Sequence, residues 1–314
     1  MRALVTGGAG FIGSNLVDAL IDRGDEVVIV DNLVTGRRSN LDAALARGAE
    51  LHEVDITDGA ALTAVVAGAR PEVVFHLAAQ IDVRRSVEDP AFDALVNVGG
   101  TINVLAAAHA AGVRRVVNTS TGGAIYGDAS RIPTPEDEEP LPMAAYGQSK
   151  FCAERYVGWF GRLHGLSGVT LRLGNVYGPR QDPLGEAGVI AIYCGKVRDG
   201  SRPLVFGDGE QTRDYIYVGD VVAAQLAAAA SGVTGEFNIG TGSPSSVLEL
   251  IAIMRELEPD AAERFRPEFA EARLGEVQAS ALDAGRAERE LGWRAQVSLR
   301  DGMRTTLDAT PASS

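Results

Sequence analysis

Met1-Arg-Ala-Leu-Val-Thr-Gly-Gly-Ala-Gly-Phe-Ile-Gly13 is the stretch from which the rest of the chain is read. Ala3-Leu4-Val5 is an apolar run of the length expected for a buried parallel strand. Gly7, Gly8, Gly10 and Gly13 follow it. Leu16, Val17, Leu20 and Ile21 then recur at helical spacing until Gly24 stops them, which predicts a helix over 14–23. The glycines therefore occupy a strand-to-helix turn. Glycine there permits a sharp bend, lets backbone N–H groups approach a pyrophosphate, and lets helix and strand pack closely. The helix N-terminus adds a dipole that favours the anion. A second apolar run, 27–30, ends in Asp31, whose carboxylate suits a ribose 2′-OH and repels a 2′-phosphate. An ordinary tight turn also carries glycines, but not a strand, a helix and an acid in this register. The expected ligand is NAD.

The 314 residues suffice for two domains, or for one domain with a lobe. A formal net charge of −13 argues against nucleic acid as a partner and leaves phosphate recognition to local groups. No apolar run is expected to reach a membrane span. Met1 opens directly into the first strand, with no room for a signal peptide, so a cytoplasmic protein is expected. The two cysteines, Cys152 and Cys194, form no framework and read as buried thiols. The four histidines show no ligand-like spacing, and no metal is expected.

Strand-like and helix-like segments alternate through the first half. Asp31-Asn32, with Thr35 and Gly36, is expected to form the adenosine-side loop. Strands are expected at 51–54, 73–77, 113–119 and 169–173. Asp55-Ile56 follows the first of these, Asp55 as an adenine contact or a helix N-cap. Leu77, Ala78, Ala79 and Gln80 stand at or just past the end of the next, where small residues let a dinucleotide lie against the backbone. An Ala-rich helix over 91–111 contains Asn97. This repetition implies an α/β fold, a doubly wound parallel sheet with ligand at the carboxyl ends of its strands. Residues 128–143 break the pattern with four prolines and an acidic run, a loop at or beside the site. A helix is expected over 146–164. Beyond residue 173 the elements become short and irregular: helices at 189–198, 218–230, 248–257 and 284–291, strands at 204–206 and 236–239, and a frayed tail at 309–314. The boundary is therefore drawn between a dinucleotide domain, 1–173, and a smaller α/β substrate lobe, 174–314, some segments of which return to the first domain.

Tyr146 and Lys150 lie four residues apart and share a helix face. An ammonium beside a phenol favours the phenolate, which makes a general base for an alcohol. Ser120-Thr121 ends the expected fifth strand, where a hydroxyl can reach the same substrate oxygen as Tyr146. These residues, with His76-Leu-Ala-Ala79, Asn175-Val-Tyr-Gly-Pro179, Gly207-Asp-Gly209, Arg213-Asp214 and Leu291-Gly-Trp293, run in order across nearly the whole chain. The sequence resembles the extended short-chain dehydrogenase/reductases of the NAD-dependent epimerase/dehydratase group. Within that group it is most similar to the UDP-glucose (UDP-galactose) 4-epimerase family. The resemblance implies a Rossmann-type domain with tightly held NAD, a UDP-sugar in the second lobe and a homodimer. It implies Tyr146 as base, Lys150 on the nicotinamide ribose and Thr121 assisting. Gly7, Gly10, Phe11, Ile12, Gly13, Asp31, Asn32, Thr35, Gly36, Asp55, Ile56, residues 77–80 and Asn97 would hold the cofactor. Asn175, Val189, Phe206, Arg213, Arg273 and Glu276 would meet the substrate, Phe206 stacking on uracil and the arginines pairing with the diphosphate. Counting seven residues from Arg273 places Ser280 at the wall beside the sugar C2 substituent; the alternative for Ser280 is a turn cap before 284–291.

The pattern departs from the family at one point. Where many members carry the assisting hydroxyl, this chain has Gly122, so the role falls to Thr121, one residue earlier. Gly122, Gly123 and Ala124 also lack the carboxylates that resembling dehydratases and sugar-acid decarboxylases place there. The expected reaction is 4-epimerisation of a UDP-hexose through a transient 4-keto sugar. UDP-glucuronate 4-epimerisation is the alternative with the same chemistry, and a non-catalytic NAD-sensing protein is the alternative from another class.

Overall fold

The computed structural model describes residues 1–183, 188–272 and 277–311. Its strands are β1 (Arg2–Thr6), β2 (Glu26–Asp31), β3 (Glu50–Glu53), β4 (Val73–His76), β5 (Arg115–Thr121), β6 (Ser167–Leu173), β7 (Asn175–Tyr177), β8 (Leu204–Phe206), β9 (Thr212–Tyr217), β10 (Gly235–Ile239), β11 (Pro244–Ser246) and β12 (Glu268–Ala270). Seven of them form one parallel sheet in the order β10-β6-β5-β4-β1-β2-β3. The chain winds outward from β1 to β3, then crosses to β4 and winds the other way. The β1/β4 boundary is thus the switch point at which such sheets bind ligands.

β1, β2 and β4 read as apolar runs because helices cover both faces. Leu16, Val17 and Leu20 of the Phe11–Asp22 helix and Val221 and Ala224 of the Val218–Ala230 helix fill one side. Leu62 and Val66 of Gly59–Ala69, Val104 and Leu105 of Thr101–Ala110, and Val157 and Phe160 of Ala145–His164 fill the other. A third core, around Tyr177, Tyr193, Tyr215, Leu250, Met254 and Met303, belongs to the later segments. Those segments build two small sheets, β11-β9-β7 and β12-β8, while β10 returns to pair with β6.

Several expectations are revised. The first helix starts at Phe11, inside the glycine run, rather than at residue 14. The third strand lies one residue earlier than 51–54. β5 extends to Thr121 and so includes both hydroxyl residues. β7, β9, β11 and β12 were not expected, nor was the Leu299–Ala309 helix, which holds Ala309 in its last position; residues 312–314 lie outside the described residues. The expected 91–111 helix is Pro90–Ala94 and Thr101–Ala110 joined through a π-helical turn, Leu95–Gly100. By length and composition this Pro90–Ala110 stretch is apolar enough to cross a membrane, contrary to expectation. Its inner face, with Asp93, Asn97 and Thr101 beside Val104 and Leu105, is buried within the protein. Cys194 is buried, but Cys152 is only half-buried.

Candidate active site

The glycine turn is pressed against the loop that follows β4. Gly7 has φ +71°, and a Cβ there would stand 2.6 Å from the Ala78 backbone nitrogen; a Cβ on Gly13 would collide with the Gly7 carbonyl. Gly10, in extended conformation, is the N-cap of the Phe11–Asp22 helix, and no side chain caps that end. First-turn N–H groups lack intrahelical acceptors, so an anion suits those of Phe11, Ile12 and Gly13. Asp31, buried at the end of β2, accepts N–H bonds from Ala9 and Leu33, both at 2.9 Å. Burial holds its carboxyl above the ordinary value, against the pull of those two bonds. Two accepted bonds leave lone pairs for ribose hydroxyls. Gly36 packs against this carboxylate, where a Cβ would lie 2.8 Å from Oδ1. These residues fit a dinucleotide.

Asn32 and Asp55 meet past the ends of β2 and β3, Asn32 Nδ2 donating to Asp55 Oδ2 at 2.7 Å. Partial burial opposes ionisation of Asp55, but bonds from Thr57 and Asn32 hold it below the ordinary carboxyl value. Asp58, not Asp55, caps the Gly59–Ala69 helix. Thr35 is exposed, and Ile56 is buried beneath Gly100. After β4, Leu77, Ala78 and Ala79 are half-buried. Asn97 clamps Gln80: its Oδ1 accepts the Gln80 N–H at 2.8 Å and its Nδ2 donates to the Gln80 carbonyl at 3.0 Å. Asn97 is 1% exposed, so its amide holds the loop rather than facing outward.

Tyr146 and Lys150 stand one turn apart on the Ala145–His164 helix. Ala144 offers that helix no side-chain cap; Ser86 Oγ accepts the Tyr146 N–H instead, at 3.0 Å. Arg172 of β6 anchors the same helix through its buried ion pair with Glu154, at 2.7 Å. The Thr121 hydroxyl hydrogen-bonds the Tyr146 phenol. Ser120, its neighbour on β5, points to the opposite face by strand alternation and is buried without a hydrogen-bond partner among the described residues. Thr121 is therefore the hydroxyl that shares the phenol oxygen. Burial pushes the Lys150 ammonium down to about 8, although Glu154 and Asp93 favour the charge. The expectation of a lowered phenol is corrected for the free chain. Burial raises Tyr146 to about 12, Asp93 adds to the rise, and only the Thr121 bond opposes it.

Gly122 has a steric reason to be glycine: a Cβ would stand 2.5 Å from Leu282 Cδ1. A Cβ on the next residue, Gly123, would lie 3.4 Å from Asn175 Oδ1, which brings β7 to the end of β5. Val189 opens the Val189–Asp199 helix, and Phe206 ends β8. Arg213, on β9, is half-buried and donates to the Thr212 carbonyl at 2.9 Å. The same carbonyl accepts the Ser280 N–H at 3.1 Å, so Arg213 and Ser280 are neighbours. Ser280 does not cap the Gly285–Leu291 helix, whose N-cap is Ala284 with no side-chain bond. Arg273 and Glu276 lie outside the described residues. The segment after β7 is tied to the first helix and the loop after β2 by Asn15 Nδ2 donating to the Pro179 carbonyl at 3.2 Å, and by the ion pairs Arg37–Asp182 and Arg180–Asp18. Ser86, Asp93 and Ser149 were not read from the sequence. Only Asp93 had a signal there, its (i, i+4) spacing to Asn97.

Residues 3–240 match the NAD dependent epimerase/dehydratase family. The chain is 47% identical over 312 residues to UDP-glucose 4-epimerase of Mycolicibacterium smegmatis, covering 98% of each. UDP-glucose 4-epimerase of Thermotoga maritima, solved with UDP-glucose, superposes with a TM-score of 0.93 at 44% identity, covering 98% of both chains. That of Thermus thermophilus, solved with NAD, gives 0.90 at 41% identity, again over 98% of both. The chain belongs to the NAD dependent epimerase/dehydratase family.

Proposed function

We propose that this protein interconverts UDP-hexoses at C4, as its relatives named UDP-glucose 4-epimerase do, with NAD held at the β1/β4 switch point. The observation that carries the reading is the set Thr121, Tyr146 and Lys150 at the end of β5, with no carboxylate at residues 122–124. Proton transfer at an alcohol has its base there; elimination of water lacks its acid and base.

The glycine turn and the N–H groups of Phe11, Ile12 and Gly13 would hold the pyrophosphate, Asp31 the adenosine ribose, and Lys150 the nicotinamide ribose. Bound NAD supplies the C4 hydride acceptor and donor, and a positive ring that favours the phenolate. Tyr146 takes the 4-OH proton while Thr121 orients the same oxygen. Arg213, with Arg273, holds the diphosphate while the 4-keto sugar turns over, and Phe206 and Asn175 hold the nucleotide end. Tyr146 then returns the proton on the other face. Residues 174–314 supply most of this substrate lobe, and two copies of the chain assemble as a dimer.

The test is an NMR assay of purified protein with UDP-glucose, UDP-N-acetylglucosamine and UDP-glucuronate, without added reductant. Inversion at C4 of a UDP-hexose is expected. Turnover of UDP-glucuronate alone would transfer the reading to that epimerase, and no turnover of any of the three would refute it.

A further inference from the structure

Asp93 is a buried carboxylate that this chemistry does not use. It stands in the Pro90–Ala94 segment and is 0% exposed. Its Oδ1 accepts from Gln80 Nε2 at 2.9 Å and from Asn97 Nδ2 at 3.1 Å. Its Oδ2 is buried and has no hydrogen-bond partner among the described residues. A buried carboxylate oxygen without a donor is costly unless a nearby positive charge compensates it. Lys150, buried and without a carboxylate at ion-pairing distance among the described residues, is coupled to Asp93 through space. A second connection is mechanical. Asn97 Nδ2, which Asp93 orients, also donates to Ser149 Oγ at 3.1 Å, and Ser149 Oγ donates to the Tyr146 carbonyl at 3.0 Å. The π-turn Leu95–Gly100, a local widening often found at functional sites, begins two residues after Asp93 and contains Asn97.

Resting on the function proposed above, we propose that Asp93 is a positioning residue for the Tyr146–Lys150 pair: through Asn97 and Ser149 it fixes the first turn of the helix that carries them, and its negative charge sets the pH window in which they work. The charge acts on both in one direction. It retains the proton on Lys150 and disfavours loss of the proton from Tyr146. Removing it therefore moves both ionisations to lower pH. Among the other groups nearby, Glu154 supports the Lys150 charge but is itself paired with Arg172. His76 of β4 is buried and pushed down to about 3, so it stays neutral. On the Val83–Glu88 helix and its flanks, Asp82 is half-buried, while Arg84, Arg85, Glu88 and Asp89 are exposed and screened by solvent. Substituting Asp93 alters none of these charges.

The test is Asp93→Asn, which retains an oxygen able to accept from Gln80 and Asn97. Two readouts are needed: kcat against pH for the NAD-loaded enzyme with a UDP-hexose, and the ultraviolet ionisation midpoint of the Tyr146 phenol. The second is taken as the difference between each protein and its Tyr146→Phe counterpart, and needs no turnover. Both limbs of the profile and the phenol midpoint are expected to move down by about one pH unit, the lower end of what a nearby charge does. A fall in kcat with limbs and midpoint at the wild-type pH would leave Asp93 a structural residue only and overturn the proposal. Asp93→Glu keeps the charge and should leave both in place; a shift there overturns it equally, and this variant serves if the asparagine form does not fold. Ser149→Ala cuts the mechanical arm alone and is expected to lower kcat severalfold without moving the limbs; unchanged kcat removes that half of the proposal. If the wild type turns over no UDP-sugar, the functional reading fails, and the phenol midpoint still decides the role of Asp93.

Discussion

At the residue scale, Tyr146 and Lys150 are set against each other by burial. The free chain holds the phenol near 12 and the ammonium near 8, so neither is tuned by the other alone. The (i, i+4) spacing was legible in the sequence. The sign of the phenol shift was not, because desolvation and the Asp93 charge depend on tertiary packing that no local spacing shows. With Thr121 hydrogen-bonded to the phenol, Tyr146→Phe removes the group that moves the proton and little else. Turnover is expected to fall about a hundredfold or more with UDP-sugar affinity nearly unchanged; near-normal turnover would remove Tyr146 from the mechanism. Lys150 makes a stability prediction of opposite sign. Its folded pKa lies below that of a free lysine, so folding at neutral pH carries the cost of a buried charge. Lys150→Met should abolish activity, and at pH 7 the relief of burying the ammonium is offset by loss of the charge that faces Asp93. As pH rises from 8 towards 10.5 the folded lysine is already neutral while the unfolded one still binds a proton, so the wild type gains stability relative to the variant. A Tm difference between the two that stays constant from pH 7 to 10.5 would overturn this account of Lys150.

At the element scale, what the sequence showed and what it hid follow from how each strand is paired. β1, β2 and β4 sit inside a sheet covered on both faces, and each carries a continuous apolar run, 3–5, 27–30 and 73–75. β7 and β11 are three residues long, β9 mixes Arg213 and Asp214 with its apolar residues, and the three pair with one another across 30 residues or more of chain. The π-turn was hidden too, since its apolar spacing differs little from that of an α-helix. The segment after Ala279 links these levels. Leu282 fills the space that a side chain at 122 would need, so a hydroxyl residue there would displace it, while Ser280, two residues earlier, lies beside Arg213. If Ser280 forms the wall next to the sugar C2 substituent, the small side chain leaves room for an N-acetyl group. Wild-type protein is then expected to epimerise both UDP-glucose and UDP-N-acetylglucosamine. Ser280→Tyr should lose the second activity selectively, since overpacking costs about 1–3 kcal/mol. Loss of both activities together, or of neither, would place the wall elsewhere.

At the scale of the whole molecule, one surface is left unaccounted for by a single copy of the chain. Leu95 on the π-turn is 57% exposed, and on the adjoining Ala145–His164 helix Tyr156, Trp159 and Leu163 are 38%, 42% and 60% exposed. Tyr156, Trp159 and Leu163 repeat at helical spacing on one side of that helix, and Lys150, Val157 and Phe160 on another. The same helix thus carries Lys150 on its buried side and an apolar stripe outward. Trp159 also meets Tyr156, Phe160 and His164 edge to face, which makes the stripe a preformed surface rather than scattered side chains. Patches of this kind mark interaction sites. A second copy related by a two-fold axis is self-complementary by construction, and would bury two helices from each copy against each other. A homodimer is therefore expected by light scattering at micromolar concentration, and Leu95→Arg with Leu163→Glu should yield a monomer. Because the stripe shares its helix with Tyr146 and Lys150, the monomer should keep its fold but lose turnover severalfold, as the first turn of that helix loosens. A wild-type monomer, or a double variant that stays dimeric, would show that this face serves some other contact.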